Sequence, residues 1–199
     1  DVDPELNRDD WGGGTEATIN EYGRRIAEVS IRAIQNARPL LDLTLDSAEV
    51  PVRLPLQPLT KDMVQEAKTE IEAIRSTDPN HGRAIAWLDE MQIAEVLEAE
   101  TAIVQILRLG EVLLVGFPGE PFTQLGLNIK RALPKWQILT LGTANGPMRY
   151  IPVMADQKNR GYASYESCRV YNRLPLQSGA GEYLAEATIA AIEGAFGHS

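Results

Sequence analysis

The stretch that most limits what this chain can fold into runs from Thr101 to Tyr150. A strongly apolar run, Thr101 to Leu109, meets a tight turn at Gly110-Glu111, and a second apolar run follows from Val112 to Phe117. Pro118-Gly119-Glu120-Pro121-Phe122 ends that run and is expected to start a helix, with Pro121 at the first helical position, where proline is welcome. A third apolar run, Trp136 to Gly142, leads into a polar corner that ends in Tyr150. Two buried strands therefore finish in Gly-rich corners, one carrying Glu120 and the other Tyr150. Strand ends beside helix starts are where α/β proteins place their chemistry.

The flanks fit the same class. Thr15 and Thr60 stand where helix N-caps belong. Apolar residues at helical spacing predict helices from about 15 to 37, 60 to 75, 83 to 98, 121 to 133 and 181 to 196. In the first of these, Ile19, Tyr22, Ile26, Val29 and Ala33 form the apolar face; in the third, Ile85, Leu88, Met91 and Val96 point inward. Glu49 to Leu56 alternates, and its prolines mark an edge strand. Residues 1–14, with Trp11 and a Gly triplet at 12–14, and 76–82 read as loops, and the region after Tyr150 as irregular. Helices alternate with strands, which predicts an α/β fold, a mixed sheet with flanking helices, in a single domain. At 199 residues and 44% apolar content the chain can bury one ordinary core.

A net charge of -9 with no Lys/Arg cluster gives no electrostatic basis for binding nucleic acid. No apolar run approaches the roughly 20 residues of a transmembrane helix. The single cysteine, Cys168, excludes an internal disulfide and a Cys-rich metal site. His81 and His198 are the only histidines, in a polar loop and near the chain end, so this chain alone hardly builds a zinc site. The triple Gly lacks the Gly-Lys-Ser/Thr of a phosphate loop, and no Gly-x-Ser-x-Gly elbow occurs. Among the remaining polar groups, Glu120 reads either as a metal ligand or base, or as a helix N-cap carboxylate. Tyr162, Tyr165 and Tyr171 read either as donors to an oxyanion or as cover for the edge of the core.

Several segments, taken in order, resemble the neutral/alkaline ceramidase family in a divergent bacterial branch. Asp1-Val2-Asp3-Pro4 resembles its Gly-Asp-Val-Ser-Pro-Asn segment, and Gly110 to Phe122 its strand ending in Pro-Gly-Glu-Phe. Leu141 to Asn145 with Tyr150-Ile151-Pro152 resembles the Gly-Leu-Asn segment and its Tyr-Ile/Leu-Thr/Pro. Gly161-Tyr162 and Tyr165-Glu166 each resemble a later Tyr-Glu segment. The strong part covers about 110 to 182. The resemblance implies a zinc-dependent amide hydrolase acting on an N-acyl substrate, lipids included, through a metal-activated water. It implies Glu120 and Tyr150 as metal ligands and a carbonyl-polarising tyrosine: Tyr162 by ungapped spacing, Tyr165 by its following Glu166, with Tyr165 slightly favoured. The two histidine ligands of the family lie upstream of the Gly-Asp-Val segment, so an upstream segment or partner chain is expected to supply them, and neither His81 nor His198 stands in for them.

The chain is accordingly expected to be the C-terminal part of one catalytic domain, processed or excised. Asp3 replaces the Ser proposed as nucleophile in some members, which argues against an acyl-enzyme and leaves the N-acyl substrate open. Family members are often secreted or periplasmic, although no export signal is visible here. Two further readings compete: a non-enzymatic relative that kept the fold and lost the site, and a metal-free hydrolase using Asp3 as its acid or base.

Overall fold

A computed structural model describes residues 15–74, 79–93, 98–144, 146 and 149–197. Asp3, Trp11, the Gly triplet, Val96, Asn145, His198 and the start of the predicted 76–82 loop lie outside them. The chain divides into two compact units, 1–43 and 44–199. The first holds helix α1 (Glu16–Gln35), whose N-cap Thr15 accepts the Thr18 N–H at 3.2 Å. The predicted apolar face exists, but none of its side chains is buried.

The second unit is a mixed α/β structure. Its sheet has the order β1-β2-β3-β5, built from β1 (Leu45–Pro55), β2 (Ala99–Leu109), β3 (Val112–Gly116) and β5 (Gln137–Leu141). Neighbours β1/β2 and β2/β3 run antiparallel, the latter through the Gly110 turn, where φ is +57° and glycine is favoured. Strands β3 and β5 are parallel, joined by α4 (Thr123–Ala132). Strand β1 is at the edge, as its prolines require. Alternation sends Val52, Leu54, Ala102, Val104, Ile106, Leu113, Val115 and Ile138 to one face, where α4 and α7 (Ala180–Phe196) cover them with Leu125, Ile129, Leu184 and Ile192.

Helices α2 (Lys61–Ala73) and α3 (Pro79–Ile93) enclose a smaller cluster of Ala67, Ile71, Ala84, Trp87 and Leu88. Thr60 caps α2 by accepting from Met63 N–H at 3.2 Å. Of the expected inward face of α3, Leu88 is buried and Met91 partly so, but Ile85 is exposed, and Trp87 is buried as well, donating its indole N–H to the Arg173 carbonyl at 2.9 Å. His81 lies in the first turn of α3 and not in a loop. Among the described residues no helix is long and apolar enough to cross a membrane.

Candidate functional site

The site begins where β3 and β5 end. Their parallel ladder continues past both strands: the Phe117 N–H donates to Leu141 O at 2.9 Å, Ala144 N–H to Phe117 O at 2.8 Å, and Thr143 N–H to Gly119 O at 2.6 Å. A second parallel pair then forms between β4 (Glu120–Pro121) and β6 (Tyr150–Ile151), in which Glu120 stands opposite Tyr150. The Glu120 N–H donates to Arg149 O at 2.9 Å, and Phe122 N–H to Ile151 O at 3.1 Å. Gly119 makes the close approach feasible, since a Cβ there would come within 2.5 Å of the Arg149 carbonyl oxygen.

This pairing corrects two expectations. Pro121 belongs to β4, and α4 starts at Thr123 with Phe122 as its N-cap and no side-chain cap bond. Glu120 is therefore not an N-cap carboxylate. The region after Tyr150 is also more ordered than expected, holding two single-turn helices, α5 (Met154–Lys158) and α6 (Glu166–Val170).

Three tyrosines gather at this corner, two of them on Glu120 itself. The Tyr171 hydroxyl donates to Glu120 Oε1 at 2.6 Å. The Tyr150 ring meets Tyr162 edge-on at 5.9 Å between centroids and Tyr171 at 6.2 Å, the arrangement that aromatic quadrupoles favour. Burial first, and then hydrogen bonding to Glu120, push the Tyr150 hydroxyl up to about 12. For Tyr171 the hydrogen bond to Glu120 is the larger cause, and its hydroxyl likewise rises to about 12. A phenolate beside a carboxylate is a second negative charge in one place, so both hydroxyls keep their protons and serve as donors. Tyr162 is 46% exposed, which leaves it open to a substrate.

Tyr165 sits in a different setting. The Arg160 guanidinium lies 4.1 Å from its ring centroid and that of Arg169 5.1 Å, and Arg169 Nη2 approaches its hydroxyl at 3.4 Å. Both arginines pair with α2 carboxylates: Arg160 with Glu66, and Arg169 with Glu70. The described contacts of Tyr165 thus tie α6 to α2, whereas those of Glu120, Tyr150, Tyr162 and Tyr171 converge on one corner.

Behind that corner lies Arg149, which no motif or spacing in the sequence singles out. It is 4% exposed, with Nη2 donating to Glu100 Oε2 at 2.7 Å and Nη1 to the Leu174 carbonyl. Burial lowers its pKa, and the Glu100 charge opposes that shift. Among the described residues no group of three His, Cys, Asp or Glu gathers in one place, so these residues offer the Glu120–Tyr150 pair and not a full ligand set.

No family model matches the chain, and no curated protein matches it. Among solved structures the chain is similar to the neutral ceramidase of Pseudomonas aeruginosa, at 17% identity and a TM-score of 0.48. That likeness covers 97% of this chain and 35% of the other, so the chain spans about a third of that protein's length.

Proposed function

We propose that this chain forms part of a zinc-dependent amide hydrolase of the neutral-ceramidase type, which cleaves an N-acyl compound of small-molecule or lipid character. The observation that carries the reading is the register pairing of Glu120 with Tyr150. These are the two residues that the motif resemblance marks as metal ligands, and they come from segments with α4 and β5 between them.

Their donor set fits the ion. A carboxylate and a phenol are both oxygen ligands; carboxylate oxygen is common on zinc, and a cation would offset the charge that now keeps the Tyr150 proton in place. Two histidines from an upstream segment or a partner chain would complete a four-coordinate shell. The chemistry zinc supplies when bound is Lewis-acid polarisation of the acyl carbonyl and acidification of water toward a pKa of about 7.

The chain's own residues do the remaining work. Glu120 and Tyr150 would hold the ion. Tyr171, donating to Glu120 Oε1, fixes the orientation of that carboxylate. Tyr162, half exposed and in ring contact with Tyr150, supplies a hydroxyl donor for the carbonyl oxygen as it gains charge. Tyr165 is the other candidate for that role, and its engagement with Arg160 and Arg169 favours Tyr162. With Asp3 in place of a serine, direct attack by water needs no acyl-enzyme.

One observation favours the non-enzymatic relative: the Glu120 carboxylate already accepts a hydrogen bond from Tyr171, so the corner is satisfied without a cation. A single experiment separates the two readings. The full protein, with any co-purifying chain retained, is loaded with zinc and given a panel of N-acyl amides. Release of free amine, abolished by a chelator and restored by zinc, is the expected result. Binding of the same amides without any cleavage would select the non-enzymatic relative.

A further inference from the structure

Arg149 is an expensive residue to keep. A guanidinium taken out of water loses hydration that an ion pair seldom repays in full, and an apolar side chain of similar size often packs as well. Its Nε is in addition buried with no partner among the described residues. What the side chain does hold is specific. Nη2 binds Glu100 near the start of β2, and Nη1 binds the Leu174 carbonyl. Glu100 is shared with Arg173, whose Nη1 lies 3.6 Å from Oε1. The segment carrying Leu174 is itself anchored on the end of β1, through Gln57 N–H to Pro175 O at 2.8 Å and Gln177 N–H to Pro55 O at 2.9 Å.

The backbone of Arg149 and its Leu174 contact both lead to residues of the corner. Tyr150 is the next residue in the chain. Glu120 hangs by its N–H on the Arg149 carbonyl at 2.9 Å. Tyr171 lies just before Leu174, with Asn172 at φ +52° turning the chain between them. The Arg149 backbone thus carries Tyr150 and accepts from Glu120, while its side chain ties that backbone to β2 and to the segment that follows Tyr171.

We propose that Arg149 is a positioning residue, whose buried, two-pronged grip on Glu100 and Leu174 sets the spacing between Glu120 and its tyrosines. The inference rests on reading that corner as the reaction centre. Arg149 touches no reacting atom in it; it acts through the strand ends.

The test compares Arg149→Met and Arg149→Lys with wild type in the full protein, reading zinc affinity and the NMR signals of isotope-labelled tyrosine rings. Edge-on ring pairs shift one another's signals, so Tyr150, Tyr162 and Tyr171 report their own spacing. Arg149→Met leaves Glu100 its contact with Arg173 and is expected to fold. Its ring signals should move toward those of unstacked tyrosine, and zinc affinity should fall about 10–100-fold, the usual effect of losing an outer-sphere partner. Arg149→Lys keeps the charge without the fork and should recover part of both. Should the Met variant fail to fold, Arg149→Gln, which retains an amide donor for Leu174, is read in its place. Unchanged ring signals and zinc affinity in either folded variant, whatever the melting temperature does, would overturn the proposal. If wild type binds no zinc, the metal reading fails by itself and the ring signals still decide the role of Arg149.

Discussion

Two tyrosine settings on the same stretch of chain have opposite electrostatics. Around Glu120, burial and then hydrogen bonding to the carboxylate raise Tyr150 to about 12, hydrogen bonding to the same carboxylate and then burial raise Tyr171 to about 12, and both are firm hydrogen-bond donors. Tyr165 presents its ring face to two guanidiniums, an attraction between cation and aromatic quadrupole that holds elements together. Sequence motifs alone rank Tyr162 and Tyr165 nearly level, one by spacing and the other by its neighbour Glu166. Their surroundings separate them. The first setting joins a carboxylate to hydroxyl donors, the corner proposed as the site, and the second is a brace between α6 and α2.

The sharpest way to break this distinction is at the ligand pair. Tyr150→Phe should weaken zinc binding far more than it lowers kcat at saturating zinc, measured by metal titration and turnover on the same sample. Tyr162→Phe should do the reverse, lowering kcat by roughly 10²–10³-fold, as loss of an oxyanion donor does, with zinc content intact. Tyr165→Phe, assayed beside it, should leave kcat near wild type; equal losses in both variants would erase the contrast between the settings.

Effects on the brace should be smaller and confined to stability. Arg169→Ala should cost about 1 kcal/mol in denaturant unfolding, because its partner Glu70 is 39% exposed and the pair is partly screened by solvent. Turnover per folded molecule should not change.

The gentlest test uses Cys168, buried behind the brace. Burial pushes its thiol from 9.0 up to about 11. A folded-state pKa above the unfolded value favours the protonated native form, so this contribution to stability is complete below pH 9 and is lost as pH rises from about 9 to 11. Denaturation midpoints should fall across that window and fall less in Cys168→Ala. At pH 8 the native thiol should react with a disulfide reagent about 100-fold more slowly than the unfolded chain, following its thiolate fraction.

Much of the fold was legible because it is written locally. The apolar runs of β2, β3 and β5, the caps Thr15 and Thr60, and the prolines that hold β1 to the edge each act within a few residues. The Glu120 corner was visible as a strand end with unusual chemistry. Its parallel pairing with Tyr150 was not, since the register is set by backbone bonds between segments far apart in sequence. That pairing drew Pro121 into a strand and moved the helix start to Thr123. The single-turn helices α5 and α6 are too short to show a helical period. Trp87 was passed over because its burial depends on the distant Arg173 carbonyl. Arg149 reads as a surface charge in any local window, and only the folded chain reveals it as buried and two-pronged.

The central claim is that Glu120 and Tyr150 together hold a metal ion, and the most direct test is metal content. Mass spectrometry of the full protein as isolated, with any co-purifying chain retained, should find about one zinc per copy, as a four-ligand site predicts. Glu120→Ala should abolish that zinc while the circular dichroism spectrum stays native, since Glu120 contributes to no core cluster. Absence of zinc from the wild-type protein, or stoichiometric zinc retained by Glu120→Ala, would contradict the account.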